Sequence, residues 1–142
     1  MRDALEVARQ YDEAFDAQDP EGRRALVAPD MEAVLPGGMT LRGPDQIHEV
    51  EKAFWEALPD GKIDVENWFS AGDTVVVEGT LTGTHRGTFR APGAEVRASG
   101  NQVNLRFASV KQIREGKLVS ERLYFDQLEF LQQIGALPRN QG

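Results

Sequence analysis

No cysteine occurs anywhere in the 142 residues, so disulfides, thiolate nucleophiles, Cys-ligated zinc and iron–sulfur clusters are all excluded, each needing the sulfur atom. Histidine is scarce as well. His48 and His85 stand in no H-E-x-x-H arrangement or other close ligand spacing, so no metal site is expected. Long apolar runs are missing: the longest inside a strand candidate is Val75 to Val77, against the ~20 apolar residues that cross a bilayer. Met1-Arg2-Asp3 leads directly into a charged helical pattern, and a cytoplasmic chain with no membrane attachment is the expectation. Positive charge is in deficit too. Sixteen Lys and Arg against 23 Asp and Glu leave a net charge of −7 with no basic patch, which argues against nucleic acid and anionic lipid as partners. No Ser lies in a G-x-S-x-G elbow, and Gly37-Gly38 leads into a strand candidate, so neither an α/β-hydrolase nucleophile nor a phosphate cradle is supported.

What is present reads as an ordinary globular chain, 40% hydrophobic and 27% charged, and residues 1–142 are expected to form a single domain. Ala4, Ala8, Tyr11 and Phe15 recur at helical spacing, with Arg2, Glu6, Arg9, Glu13 and Asp16 on other faces, which predicts a helix over about 3–18. Asp19-Pro20 restarts the chain as N-cap and first helical residue of a short helix through about Val27. Met31 to Leu35 and Met39 to Arg42 flank Pro36-Gly37-Gly38 as a hairpin. Pro44 opens a third helix whose inner stripe is Ile47, Val50, Phe54 and Leu58, leaving Glu49, Glu51, Lys52 and Glu56 to water. From Lys62 the period changes to 2, with strands expected over Ile63 to Phe69, Thr74 to Thr84, Val103 to Ile113 and Leu118 to Phe125. The turns between them are Ala71-Gly72-Asp73, a looser Ala91-Pro92-Gly93, and Arg114-Glu115-Gly116. Asp126 caps a last helix with Glu129 three residues on, Leu128, Leu131 and Ile134 on its face, and Gly135 at its end. Helices first and an antiparallel meander second make the class α+β.

Hairpin register locates a candidate site. A three-residue loop over Arg114-Glu115-Gly116 pairs Ile113 with Lys117, and counting outward sets Ser109 against Glu121, Phe107 against Leu123 and Leu105 against Phe125 on one face. That face is apolar apart from Ser109 and Glu121, and the alternative reading sets Glu121 at a solvated rim or in a diagonal pair with Lys111 on the same face. The opposite face carries Asn104, Arg106, Arg122 and Tyr124, suited to water or to a partner subunit. A carboxyl among apolar neighbours is expected to have a raised pKa, and such groups cluster in functional clefts.

The element order, with Gly83-Thr84-His85-Arg86-Gly87-Thr88-Phe89 and the tail Tyr124-Phe125-Asp126-Gln127-Leu128 through Leu131-Gln132-Gln133-Ile134-Gly135, resembles SnoaL-type polyketide cyclases of the nuclear-transport-factor-2-like superfold. The resemblance implies a curved antiparallel sheet wrapped around N-terminal helices, a cystatin-like α+β barrel with a conical pocket. It also implies a cofactor-free cyclase or isomerase and a homodimer. Relatives carry an Asp on the last strand and a His two residues before it, and those positions hold Leu123 and Glu121 here. In ketosteroid isomerase, a more distant relation, Tyr11 matches the oxyanion Tyr, while Leu35 falls at the base and Ser109 at the acid.

Glu121 and His85 are therefore the candidate proton carriers, with Tyr11 or Ser109 as oxyanion donors. Ser109, Phe107, Leu123, Phe125 and Trp55 are the candidate substrate-binding residues for an apolar small molecule. Core packing alone also accounts for Tyr11, and a solvated turn for His85. The rival reading is a non-catalytic ligand-binding or assembly module that has lost the family aspartates. Epoxide hydrolysis would need an Asp–Arg–Asp network, for which Arg106 and Arg122 lie on the wrong face.

Overall fold

The computed structural model describes residues 3–138, and its order is α1 (Ala4–Asp16), α2 (Pro20–Arg24), β1 (Val27–Leu35), β2 (Met39–Arg42), α3 (Gly43–Ala57), β3 (Lys62–Ala71), β4 (Thr74–Thr84), β5 (Phe89–Ala91), β6 (Ala94–Val96), β7 (Gln102–Arg114), β8 (Lys117–Phe125) and α4 (Gln127–Gln133). Helix starts follow the capping residues. Asp3, Asp19 and Asp126 each accept a backbone N–H of their own first turn, and Pro20 and Pro44 sit where no amide partner is needed. Six strands form one sheet in the order β2-β1-β8-β7-β4-β3, and β5 pairs with β6 in a separate two-stranded sheet. The β1–β8 pair is parallel and the other pairs are antiparallel.

Alternation divides the long strands into two faces. Val75, Val77 and Leu81 of β4 and Val103, Leu105 and Ile113 of β7 are buried against the helices. One core cluster joins α1 to the sheet through Val7, Tyr11, Met31, Val77 and Leu118. A second joins the end of α3 to β5 and α4. Its rings are Phe54, Phe89 and Phe130, with Phe89 and Phe130 edge-on at 5.3 Å. Between the clusters the sheet and helices leave a cavity.

Four expectations change. α2 stops at Arg24, and Val27 opens a strand, because Leu26 and Val27 find a partner in Leu118, ninety residues further on: its N–H donates to the Leu26 carbonyl at 2.8 Å. The Ala91-Pro92-Gly93 turn is tight, with Ala91 paired to Ala94 and Gly93 at φ +76°, so it closes the β5–β6 hairpin. Leu128 is exposed on α4, whose buried residue is Phe130, and Ile134 is buried just past its end. The last hairpin turns through two residues, Glu115 (φ +54°) and Gly116 (φ +77°), and a bulge follows between Gln112 and Ile113. The observed partners are Lys111 with Glu121, Ser109 with Leu123 and Phe107 with Phe125. The displacement from the expected register is two residues, an even number. Facing is therefore preserved while every partner changes.

The hinge between α3 and the strands rests on a glycine. Arg86 and Gly87 both donate to the Ala57 carbonyl at 3.2 Å, and a Cβ at position 87 would collide with the Glu56 carbonyl oxygen. Gly87→Ala is expected to destabilise the fold by about 1–3 kcal/mol, the cost of overpacking against backbone. The measurement is a lower urea midpoint at unchanged slope.

Candidate functional site

Five charged side chains converge inside the fold. Asp12 follows Ala8 by one helical turn on the inner stripe of α1, and Glu51 follows Ile47 in the same way on α3. α2 contributes Arg23, which is buried. On β7, alternation sends Lys111 inward with Ser109 and Ile113, and Glu121 stands opposite it on β8.

Lys111 organises one side. Its Nζ donates to Glu121 Oε2 and to Ser109 Oγ, both at 2.8 Å, and lies 3.6 Å from Asp12 Oδ1. Ser109 Oγ in turn donates to Glu121 Oε2 at 2.7 Å. Both bonds to Glu121 thus end on one oxygen, and among the described residues none is made to Oε1. Arg23 organises the other side. Its Nε donates to Glu51 Oε2 at 3.1 Å, its Nη1 donates to the Tyr11 carbonyl at 2.9 Å, and its guanidinium lies 3.4 Å from the centre of the Tyr11 ring. Arg23 Nη1 is 3.8 Å from Asp12 Oδ1, an electrostatic contact too long for a hydrogen bond. Asp12 Oδ2 is buried without a hydrogen-bond partner among the described residues.

These environments push two carboxyls apart. Burial raises the Asp12 carboxyl above its ordinary value, against the opposing pull of Lys111 and Arg23. Burial would raise Glu121 as well, but Lys111, Arg23 and the hydrogen bonds from Lys111 and Ser109 bring it below its ordinary value. The raised pKa expected for Glu121 is thus overturned, because the residue that shares its face is a direct cation partner. Lys111 itself is disfavoured as an ammonium by burial, yet Asp12 and Glu121 hold it more firmly protonated than a free lysine.

This polar group forms one end of a cavity of about 120 Å³. Asp12, Arg23, Glu51, Ser109, Lys111 and Glu121 all line it. The remainder is apolar: Phe107, Leu123 and Phe125 from the sheet, Val50 and Phe54 from α3, Leu35 and Leu41 from the β1–β2 hairpin. Four of the five expected binding residues, Ser109, Phe107, Leu123 and Phe125, therefore line the cavity with Glu121. Trp55 does not. Its Nε1–H donates to the Phe15 carbonyl at 3.1 Å and its ring packs beside Phe15 and His48. Tyr11 lies behind the lining, fully buried, its hydroxyl without a hydrogen-bond partner among the described residues and its ionisation pushed well up by burial. His85 lies at the far end of β4, where Nδ1 accepts from the Ser99 backbone N–H at 3.1 Å and burial lowers its pKa.

Asp12, Arg23 and Glu51 were missed as site residues. Asp12 and Glu51 each carried a signal, a charged residue at i+4 from a core residue. Glu51 leaves water, contrary to expectation, because Arg23 pairs with it. Arg23 carried no signal, since a five-residue helix has too little periodicity to assign a face. A carboxylate–arginine–carboxylate arrangement thus occurs at Arg23, not at Arg106 or Arg122, which are exposed on the outer face. Among the described residues no helix is long and apolar enough to cross a membrane, and no group of three or more His, Asp or Glu is placed to hold a metal ion.

The opposite shifts set opposite pH dependences. Glu121 is held below 4.5, so its contribution to stability is complete above pH 4.5 and is lost as pH falls through its folded value. Asp12 is held above 3.8, so its contribution is complete below pH 3.8 and is lost as pH rises through its folded value. Glu121→Gln is expected to cost about 1.5–3 kcal/mol near neutrality, the range for a hydrogen bond to a charged group, with the loss shrinking in acid. Asp12→Asn is expected to gain on the wild type as pH rises. Urea unfolding from acid to neutral pH measures both slopes.

A family model described as SnoaL-like polyketide cyclase matches residues 5–134. No curated protein matches the chain in sequence. Among solved structures, a protein from Jannaschia sp. CCS1 put forward as a SnoaL-like polyketide cyclase superposes with a TM-score of 0.84 at 22% identity, covering 95% of this chain and 93% of that one. IdmH from Streptomyces antibioticus, put forward as a polyketide cyclase, gives 0.79 at 24% identity over 94% and 99%. AclR from Streptomyces galilaeus, put forward as a hydroxylase, gives 0.82 at 20% identity over 97% and 84%. At these identities the structures speak for the fold, and the family match across nearly the whole chain places it: this protein belongs to the SnoaL-like polyketide cyclase family.

Proposed function

We propose that the cavity binds a neutral, largely apolar carbonyl compound and that Glu121 and Asp12 carry out cofactor-free acid–base chemistry beside its carbonyl, as a cyclase or isomerase. The observation that carries this reading is the pair of carboxyls flanking one ammonium at the polar end of an apolar cavity, driven apart in proton affinity. Glu121, ionised and with Oε1 open, takes a proton from the carbon next to the carbonyl. The electron pair moves onto the carbonyl oxygen. Asp12, protonated, donates a hydrogen bond to that oxygen while the Lys111 charge stabilises it. Returning the proton to a different carbon completes an isomerisation. For a cyclisation, the enolate carbon attacks a second carbonyl of the same molecule, and its oxygen takes up the proton. Excess carboxyl over cation at this end disfavours an anionic head group on the ligand.

Ser109 serves by holding Glu121 Oε2, so the free oxygen faces one way. His85 and Tyr11 do not border the cavity and have no direct part in this scheme. Hydrolysis through an arginine bridged by two carboxylates is disfavoured by the 3.8 Å separation of Arg23 from Asp12. Assembly fits the same picture: the outer sheet face carries Arg106, Arg122 and the exposed Tyr124 on β7 and β8, beside Asp64, Glu78 and the exposed Phe69 on β3 and β4. A second copy laid across with its strands reversed sets basic half against acidic half, and Tyr124→Glu is expected to halve the mass found by sedimentation.

The catalytic test is turnover of aromatic polyketides and β-diketones. Glu121→Gln and Asp12→Asn are each expected to lower it by about 10²–10⁴-fold with ligand affinity retained, and His85→Ala to leave it near wild type. The kcat/KM profile is expected to rise in the acid range where Glu121 ionises and to fall as Asp12 loses its proton. Ligand binding without turnover in the wild type establishes the non-catalytic binding module instead, and turnover unchanged in both carboxyl variants overturns the roles of Glu121 and Asp12.

A further inference from the structure

Inside the fold, three carboxyl groups, Asp12, Glu51 and Glu121, face two permanent cations, Arg23 and Lys111. The side chains of Asp12, Arg23, Glu51 and Lys111 are at most 10% exposed and that of Glu121 is 15% exposed. The count is odd. Two carboxyls each have a cation at hydrogen-bond distance, Glu121 with Lys111 at 2.8 Å and Glu51 with Arg23 at 3.1 Å. Asp12 has the leftover contacts at 3.6 and 3.8 Å and an oxygen with no partner. A desolvated cluster with one surplus negative charge relieves it most cheaply by taking up a proton where the charge is least compensated.

We infer that Glu51 is a positioning residue that acts through Arg23: by occupying that guanidinium it withholds the charge Asp12 would otherwise share, and so keeps Asp12 the proton-bearing member of the cluster. Glu51 is thereby the residue that selects which carboxyl is acid and which is base in the reaction proposed above, on which its catalytic meaning rests. The other groups around Asp12 do not cancel this. From its own helix, Arg9, Glu13 and Asp16 share with it a water-accessible cleft of about 260 Å³. Arg9 there stacks over Trp68 at 5.6 Å. Tyr11 is neutral. β3 contributes Ile63, Val65 and Trp68 to the cleft, none of them titratable, and β7 and β8 contribute Ser109, Lys111 and Glu121, already counted. Burial acts in the same direction, raising the Asp12 carboxyl.

The test follows the Asp12 carboxyl directly, by carbon-13 NMR titration of Asp-labelled protein, with Asp12→Asn identifying the signal. In the wild type the midpoint is expected above the ordinary aspartate value of 3.8. Glu51→Gln removes one negative charge, frees Arg23 for Asp12, and is expected to lower the midpoint by about one pH unit or more. Glu51→Asp keeps the charge and is expected to keep the midpoint. Arg23→Met with Glu51→Leu removes one charge of each sign, leaves the surplus at one, and is expected to keep Asp12 raised. Replacing a buried ion pair by apolar residues is commonly tolerated, so this variant serves where Glu51→Gln fails to fold. A wild-type midpoint at or below 3.8, a Glu51→Gln midpoint equal to wild type, or a fall in the apolar double variant overturns the inference. No substrate enters the titration, so absence of turnover defeats the catalytic reading alone, and an unmoved midpoint defeats the role of Glu51 alone.

Discussion

Lys111 projects from the inner face of β7 into the interior at the wall of the cavity, with its side chain 2% exposed. An ammonium in such a place costs several kcal/mol unless carboxylates and hydroxyls compensate it. Glu121 and Ser109 do so from the neighbouring positions of the sheet, and Asp12 does so from α1 across the core. The need to satisfy one buried cation thus ties the last hairpin to the first helix. Arg23 repeats the arrangement from α2, held between Glu51, the Tyr11 carbonyl and the Tyr11 ring. Because the two cations serve three carboxyls, the cluster has more acid than it can neutralise.

The fold places this cluster but does not prescribe it. Structures of very similar shape are put forward as a cyclase in one case and a hydroxylase in another, and a shared fold does not by itself fix the chemistry. In this chain the position that the ketosteroid isomerase comparison marks for the base on β1 holds Leu35 and the one that the SnoaL-type resemblance marks for an Asp on β8 holds Leu123, and both line the cavity as apolar wall. The ionisable groups come instead from α1, α2, α3 and β7, and on β8 from Glu121, two residues before Leu123. Apolar substitution on one wall and charge on another leave the cavity with a polar end and an apolar body, which is the distribution that orients a ligand having a single polar end.

How far the site could be read in advance depended on the range of each interaction. Glu121 was legible because strand alternation is a local rule, and the error in register, two residues, preserved its face. Its partner was less so: the bulge beside Gln112 and the left-handed Glu115 shift the pairing, and neither is visible as a residue type that demands it. Asp12 and Glu51 lie on the inner stripes of their helices, yet a charged residue on such a stripe looks like a solvated edge until its counter-ion is known. That counter-ion, Arg23, sits in a helix one turn long. His85, Tyr11 and Trp55 show the converse, side chains with suitable chemistry that end in the packing around the cavity, not on its surface.

The order of residues alone determined most of the elements, β5 and β6 excepted, with the α+β class, the inward face of each long strand and the family, because capping, period-2 alternation and short motifs act over a few positions at a time. Only the tertiary structure decided that Val27 extends a strand, that Lys111 meets Glu121, and that Arg23 draws Glu51 out of water. Those outcomes depend on side chains tens of residues apart meeting in a space from which water is excluded, where a charge is stable only beside its opposite. Local pattern carries no information about who that opposite will be.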